Sequence, residues 1–164
     1  APALVRTKLF PGMRELDGIK ECYAARKMLD IVVTSASIWK DEDCLLREYM
    51  EKSKTSSTAL DKAVCIGDML WRPLSKNGPI NIETEIRAMT LMELGDLQEF
   101  VEEGKQVLLA LGPCSRCGEP KGEILEAVLD MMPPAKLPLI THLVVDSMSA
   151  RWLFQGRDSS FRAS

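Results

Sequence analysis

The sequence predicts an all-α protein, a single domain of about six or seven amphipathic helices, on three observations. Leu and Met together number 30 residues against 18 for Ile and Val, and unbranched side chains keep more rotamer freedom in a helix. Apolar residues recur at helical spacing along much of the chain, most clearly between Leu91 and Leu111. Gly, Pro and Ser/Thr clusters end these stretches, as they end helices.

The predicted elements divide the chain into an arm, a helical domain and a tail. Residues 1–11 form an extended N-terminal arm, residues 12–154 the helical domain, and residues 155–164 a flexible C-terminal tail. Within the domain, the apolar pattern places helices at residues 13–29, 45–50, 59–71, 82–89, 91–111, 123–132 and 137–148.

The longest of these predicted helices covers residues 91–111. Thr90 and Glu93 have the spacing of a capping box at its start, and Gly112-Pro113 ends it. Acidic residues lie opposite the apolar side, as on a solvated helix. The residues on the apolar side are Leu94, Leu97, Val101, Gly104, Leu108 and Leu111.

The same residues leave an α/β fold open as an alternative. Four β-branched residues stand together in Ile31–Thr34, which is typical of a buried strand. Short strands near residues 31–36, 106–111 and 140–145 would then alternate with helices.

A Cys-x-x-Cys pair, Cys114 and Cys117, lies in the Gly/Pro loop 112–122. A structural zinc site needs about four ligands, so the candidate zinc ligands are Cys114, Cys117 and the single histidine, His142, with one further cysteine. A redox pair would follow a strand and open a helix, where the helix N-terminus lowers the thiol pKa. Two ordinary thiols in a loop are the third interpretation. Zinc is the only cofactor that the sequence suggests.

No catalytic residue is predicted. His142 lies in an apolar stretch with no nucleophile or acid beside it in sequence. Gly112, Gly118 and Gly122 follow no phosphate-binding pattern. The sequence therefore favours a protein that is not an enzyme.

Charge and composition exclude several classes of protein. A net charge of −3 argues against a protein whose whole surface binds nucleic acid. The basic, aromatic C-terminal tail is the one segment that could contact nucleic acid. No apolar run reaches the roughly 18 residues needed to span a membrane. Five cysteines, an odd number, and the absence of an Asn-x-Ser/Thr acceptor favour a reducing, cytoplasmic setting.

The remaining features indicate function by contact with a protein partner or by self-association. The predicted contact residues are Asp96, Glu99 and Glu103 on the acidic side of the long helix, and Trp152 and Phe154 near the C-terminus. The function predicted is a non-enzymatic helical interaction or assembly module, an adaptor or a subunit of a complex. Two alternatives are a secreted four-helix signalling protein, suggested by the Ala-Pro start, and a small zinc-binding or thiol-redox protein using Cys114 and Cys117.

Overall fold

The structure, a computed structural model, describes residues 3–41, 43–52, 54–131 and 138–161, and its fold is mixed α/β. The helices are α1 (Phe10–Arg14), α2 (Ile19–Ala25), α3 (Leu45–Glu51), α4 (Lys54–Lys62), α5 (Leu94–Glu102), α6 (Gly122–Asp130) and α7 (Ser147–Phe161). The strands are β1 (Ala3–Arg6), β2 (Ile31–Thr34), β3 (Ala36–Ile38), β4 (Gly67–Met69), β5 (Arg72–Ser75), β6 (Gly78–Pro79), β7 (Ile86–Met89), β8 (Gln106–Leu111) and β9 (His142–Val145). The prediction of an all-α fold is wrong.

The first sheet is parallel and has the order β2-β8-β9. Val32 pairs with Val107, and Leu109 pairs with Leu143. On one face Val32, Val107, Leu109 and Leu111 are buried in the main core, against residues of α5 and α6. The strands of the α/β alternative, near residues 31–36, 106–111 and 140–145, correspond to β2, β8 and β9.

The second sheet is antiparallel and has the order β3-β4-β5-β6. Its first strand, β3, follows β2 after a single intervening residue. Only Ser35 separates the two strands, so the chain passes almost directly from the parallel sheet into the antiparallel one. A third, two-stranded sheet joins β1 to β7. The predicted N-terminal arm is therefore paired over Ala3–Arg6.

The predicted helix 91–111 is interrupted at Gly104. Gly104 adopts φ +78°, its amide donates to the Val101 carbonyl at 2.9 Å, and the Lys105 amide donates to the Phe100 carbonyl at 3.2 Å. These bonds form the Schellman motif that ends a helix on a left-handed glycine. Gly104 therefore ends α5 and does not lie on a continuous apolar side, which frees the following residues to form β8.

Several other predicted helices are also wrong. The segment 59–71 contains only the end of α4 before β4 begins, while segments 82–89 and 137–148 contain β7 and β9. In each case spacing compatible with a helix is overridden by pairing with a strand distant in sequence. Helices predicted at 45–50 and 123–132 correspond to α3 and α6.

The C-terminal segment continues as α7 to Phe161, and the last three residues of the predicted tail, 162–164, lie outside the described residues. Among the described helices, none combines the length and apolar character needed to cross a membrane.

Two apolar clusters hold the elements together. The larger lies between the parallel sheet, α5, α6 and the antiparallel sheet. The smaller surrounds Trp39 and includes residues of α3 and α4, with the Trp39 indole donating to Asp61 at 2.9 Å. A guanidinium joins the antiparallel sheet to the start of α5: Arg72 donates to the Ala88 carbonyl at 3.1 Å and pairs with Glu93.

Gly67 of β4 lies against the backbone of β3, and we expect Gly67→Ala to destabilise the protein strongly. A Cβ at this position would lie 2.0 Å from the carbonyl oxygen of Ser37, a backbone atom that cannot rotate away. We expect the free energy of unfolding in urea to fall by about 2 kcal/mol or more.

Gly95→Ala is the matched control, because a Cβ there meets no atom within 4 Å and the residue lies in α5. That variant should be as stable as the wild type or more stable by up to about 1 kcal/mol. Equal stabilities of the two variants would contradict the close approach at Gly67.

Candidate functional site

A cavity of about 740 Å³ runs along the whole of β2 and past its carboxyl end to Ser37. In parallel sheets, ligands bind in crevices outside the carboxyl ends of the strands, where the loops converge. The cavity is of the size that holds small organic ligands. Its polar and aromatic lining consists of Thr34, Ser35, Ser37, Asp43, Asp68, Trp71 and Thr90, and the rest of its lining is apolar.

The tip of the β4–β5 hairpin lies at this cavity in an unusual backbone conformation. Leu70 and Trp71 have φ values of 55° and 60°. A two-residue turn with both φ angles positive suits Asn-Gly, and bulky residues adopt it at a cost in energy. Backbone strain of this kind is found mainly at functional sites, where the side chain has a task. The half-buried Trp71 ring, 5.9 Å from the Tyr49 ring, is therefore a candidate ligand platform.

The carboxylate of Asp68 holds that turn in place. Asp68 is only 8% exposed; it accepts a hydrogen bond from the Trp71 amide at 3.1 Å and another from the Ser37 hydroxyl. Burial raises the pKa of Asp68, and the hydrogen bonds from Ser37 and Trp71 offset this only in part. The pair Ser37 and Asp68 thus connects β3 with the hairpin across one wall of the cavity.

Lys121 connects the loop after β8 to the same region. Its ammonium donates to the Ala36 carbonyl at 3.2 Å. Its charge acts against the burial that raises the pKa of Asp68, and it adds to the hydrogen bonds from Cys114 and Asp43 that lower the pKa of Asp41. Its amide donates to the Ser149 hydroxyl at 3.1 Å, and Ser149 donates to Asp146 at 2.6 Å. The segments that follow β2, β8 and β9 therefore meet at Lys121.

The Cys114 and Cys117 loop lies beside this cavity and lines a smaller one of about 290 Å³. The Cys117 amide approaches the Cys114 sulfur at 3.4 Å, and the Gly118 amide closes the turn on the Cys114 carbonyl at 2.9 Å. Both cysteines are free thiols, Cys114 buried and Cys117 exposed.

The surroundings of Cys114 do not favour its thiolate. The Cys117 amide acts to lower the pKa of Cys114, but hydrogen bonds from the thiol to Asp41 and Cys117, together with burial, outweigh it and raise that pKa. A reactive cysteine requires the opposite shift. The pair does follow a strand, β8, and precede a helix, α6, although the sequence predicted a helix before it.

The structure does not bring His142 to the cysteine pair. His142 begins β9 and pairs with Leu108, whereas Cys114 follows the other end of β8, and the His142 Nδ1 lies 2.9 Å from the Thr141 hydroxyl. Within the described ranges, no three His, Cys, Asp or Glu side chains are grouped closely enough to hold a metal ion. Zinc binding stays an untested prediction.

The predicted contact residues are dispersed. Asp96 forms an ion pair with Arg26 at 2.7 Å and accepts from the Glu93 amide at 2.8 Å, so it caps α5. Glu103 pairs with Lys105 at 2.7 Å, and Glu99 is exposed on α5. On α7, Trp152 packs over Gly122, while Phe154 is 71% exposed. They form no single surface, and partner binding by them stays a prediction.

Sequence reasoning missed Ser37, Asp68, Trp71 and Lys121, the residues that form the cavity wall and its links. Asp68 and Trp71 lie in a segment predicted as helix, where an isolated Asp has no special meaning. The one available signal was the turn chemistry around Gly67 and Pro73, which fits a hairpin as well as a helix end.

No protein-family model matches the sequence, and no curated protein matches it. Solved structures do share its fold. A protein assigned as the sugar-binding domain of a transcriptional repressor from Vibrio fischeri is 16% identical with a TM-score of 0.65, over 96% of this chain and 57% of that chain. A DeoR family transcriptional regulator from Listeria monocytogenes is 18% identical with a TM-score of 0.64, over 93% and 56%.

The full-length sorbitol operon regulator SorC from Klebsiella pneumoniae is 20% identical with a TM-score of 0.65, over 93% of this chain and 43% of that chain. At such identities the likeness shows the fold. The chain spans about half the length of these structures. The prediction of a helical adaptor or assembly module is therefore wrong, as is the four-helix alternative, because both require an all-α protein and this fold is mixed α/β, like that of the regulator structures.

We expect Asp68→Asn to change how stability depends on pH. Because the pKa of Asp68 is raised in the folded protein, its contribution to stability is present at low pH and is lost as pH rises through the folded pKa. The free energy of unfolding of the wild type should thus fall relative to the variant as pH rises from about 4 towards 7. Parallel urea-denaturation series at each pH measure this, and a constant difference would contradict a buried, desolvated Asp68.

Thiol accessibility tests the placement of the cysteines. Cys22 and Cys117 are exposed, and burial raises the pKa of Cys44 and raises that of Cys65 to about 12. We expect the thiol reagent DTNB to modify Cys22 and Cys117 in the folded protein and Cys44, Cys65 and Cys114 only after unfolding. Mass spectrometry identifies the modified residues. Rapid modification of Cys44 or Cys65 would contradict the fold around Trp39.

Proposed function

We propose that the protein is the sugar-sensing part of a transcriptional regulator and binds its sugar in the cavity at the carboxyl end of β2. The observation that carries this proposal is the strained placement of Trp71 at the cavity, with the buried Asp68 beneath it. The likeness in fold to regulators of sugar operons supports it.

The chemistry of the lining suits a sugar. An aromatic ring packs against the C–H face of a sugar ring, and the hydroxyl groups require donors and acceptors around its edge. Trp71 offers the ring, while Ser35, Ser37 and Thr90 offer hydroxyls and Asp43 a carboxylate. A cavity of about 740 Å³ accommodates a hexose with its first waters.

The charge of the lining favours an uncharged sugar or alditol. The charged groups among the described lining residues are Asp43 and Asp68, both acidic, and Asp43 also pairs with Arg116 at 3.7 Å. Carboxylates accept hydrogen bonds from sugar hydroxyls but repel a phosphate ester. A transcriptional regulator acts in the compartment that contains the DNA. This is consistent with the cytoplasmic location that the cysteine content predicts.

Calorimetric titration of the protein purified from its source with sorbitol, glucose, fructose and their 6-phosphates tests the proposal. We expect one uncharged compound to bind, and its affinity to fall about tenfold or more in Trp71→Ala and in Asp68→Asn, since each removes about 1 to 2 kcal/mol of contacts. Trp152→Phe, on α7, is the control and should bind as the wild type does.

Absence of binding at millimolar concentration, or binding that both cavity variants leave unchanged, would contradict the proposal. A 6-phosphate that binds more tightly than its parent sugar would contradict the uncharged class. The regulatory part of the proposal is tested by measuring whether the protein binds DNA from upstream of its own gene. The same measurement with the sugar present shows whether the sugar changes that binding.

A further inference from the structure

The hairpin tip that carries Trp71 is held by hydrogen bonds on both sides of that residue. The Trp71 amide donates to the Asp68 carboxylate at 3.1 Å, and the Trp71 carbonyl accepts a hydrogen bond from the Arg72 guanidinium at 3.3 Å. Trp71 has a φ of 60°, a conformation that a bulky residue keeps only where its surroundings impose it. The clamp on this strained residue therefore has two parts, Asp68 and Arg72.

The same guanidinium reaches a second residue of the candidate sugar site. Arg72 donates to the Thr90 hydroxyl at 3.0 Å, and that hydroxyl donates its own hydrogen to the Met92 carbonyl at 2.9 Å. A hydroxyl group has one hydrogen and two lone pairs. The Thr90 hydroxyl therefore has only one lone pair left to offer a ligand, and it can act only as an acceptor.

Arg72 is itself held in a fixed orientation. Its side chain is 14% exposed, and it donates to the Glu93 carboxylate at 2.7 Å. Burial acts to raise the pKa of Glu93, but the hydrogen bonds and charges of Arg72 and Arg87 outweigh it and lower that pKa. A guanidinium is planar with several donors in fixed directions, whereas a lysine ammonium is a point charge on a flexible stem. Only an arginine can therefore reach Glu93, Trp71 and Thr90 together.

Arg72 contacts the candidate site from outside its cavity. It does not line the cavity of about 740 Å³ that we assign to the sugar, but a second cavity of about 360 Å³. Trp71 lines both cavities, so it lies between the sugar and the smaller cavity. Arg72 would therefore act on a ligand through Trp71 and Thr90, and not by touching it.

We propose that Arg72 is a positioning residue that fixes the Trp71 ring at the cavity and makes Thr90 a hydrogen-bond acceptor for the sugar. The sugar is then a neutral aldose, ketose or alditol with a free hydroxyl that donates to Thr90. A hydrogen, a methoxy group or a fluorine in place of that hydroxyl cannot donate. The sugar part of this inference rests on the proposed function, whereas the hold of Arg72 on Trp71 can be measured without a ligand.

Fluorine NMR of the full-length protein labelled with fluorotryptophan tests the hold on Trp71 without any ligand, each signal being assigned by a Trp→Phe substitution. We expect Arg72→Lys to move the Trp71 signal by more than its linewidth, because lysine keeps the charge but not the fork of donors. The signals of Trp39 and Trp152 should stay in place and so show that the variant is folded. Glu93→Gln, which leaves Arg72 without its anionic partner, should also move the Trp71 signal and decides the matter if Arg72→Lys does not fold. An unmoved Trp71 signal in a folded variant would overturn the proposal.

Arg26→Lys is the matched control. Arg26 also pairs with a carboxylate at the start of α5, that of Asp96, at 2.7 Å, and its side chain is 25% exposed. It does not line the sugar cavity. We expect this variant to leave the fluorine signals and the sugar affinity unchanged. Equal movement of the Trp71 signal in both variants would overturn the proposal, because the effect would then belong to α5 and not to Arg72.

Sugar analogues test the polarity of Thr90 in the wild-type protein. In the sugar that binds in calorimetry, each hydroxyl is replaced in turn by hydrogen and by fluorine, which can accept a hydrogen bond weakly but cannot donate one. The position that faces Thr90 is the one whose deoxy derivative loses no further affinity in Thr90→Val. At that position we expect both derivatives to bind the wild type about tenfold more weakly than the parent sugar does.

A fluorine derivative that binds like the parent sugar at that position would overturn the assignment of Thr90 as an acceptor. So would the absence of any position coupled to Thr90. If no sugar binds while Arg72→Lys moves the Trp71 signal, the result counts against the proposed function alone.

Discussion

The structure depends on β8 being a central strand. It pairs with β2 on one side and β9 on the other, and its alternate residues Val107, Leu109 and Leu111 are buried in the main core. That placement requires α5 to stop at Glu102, which the left-handed Gly104 achieves. Because β2 and β9 both pair parallel to β8, the carboxyl ends of the three strands lie at the same edge of the sheet. The links through Lys121 and Ser149 follow from this arrangement.

The candidate site is formed at the junction of two sheets. β2 passes into β3 through a single residue, and Gly67 of β4 approaches the backbone of β3 so closely that no side chain fits between them. Ser37 on one sheet strand can therefore reach Asp68 on its neighbour, and Asp68 in turn reaches the hairpin tip. A ligand in the cavity would contact groups from both sheets, so its binding would stabilise their relative position.

Part of this fold could be predicted from the sequence. The β-branched run Ile31–Thr34 indicated a strand, and the patterns of α3 and α6 indicated helices. The choice at residues 106–111 could not be made locally, because Leu108 and Leu111 continue the spacing of α5 while Val107, Leu109 and Leu111 alternate as in a strand. The partners that decide it lie over 30 residues away in either direction. The site was hidden for the same reason: Ser37, Asp68 and Lys121 carry no motif, and only pairing of distant strands brings them together.

The hairpin tip has a consequence for how this protein can change. Leu70 and Trp71 occupy a turn for which Asn-Gly is better suited, so the chain keeps a less stable turn there. Replacing both residues with Asn-Gly, as turn statistics suggest, would raise thermal stability. It would also delete the indole ring from the cavity. Under the proposed function, thermostability and sugar recognition would oppose each other at these two positions, and homologues that keep the bulky pair would be those that keep the candidate site.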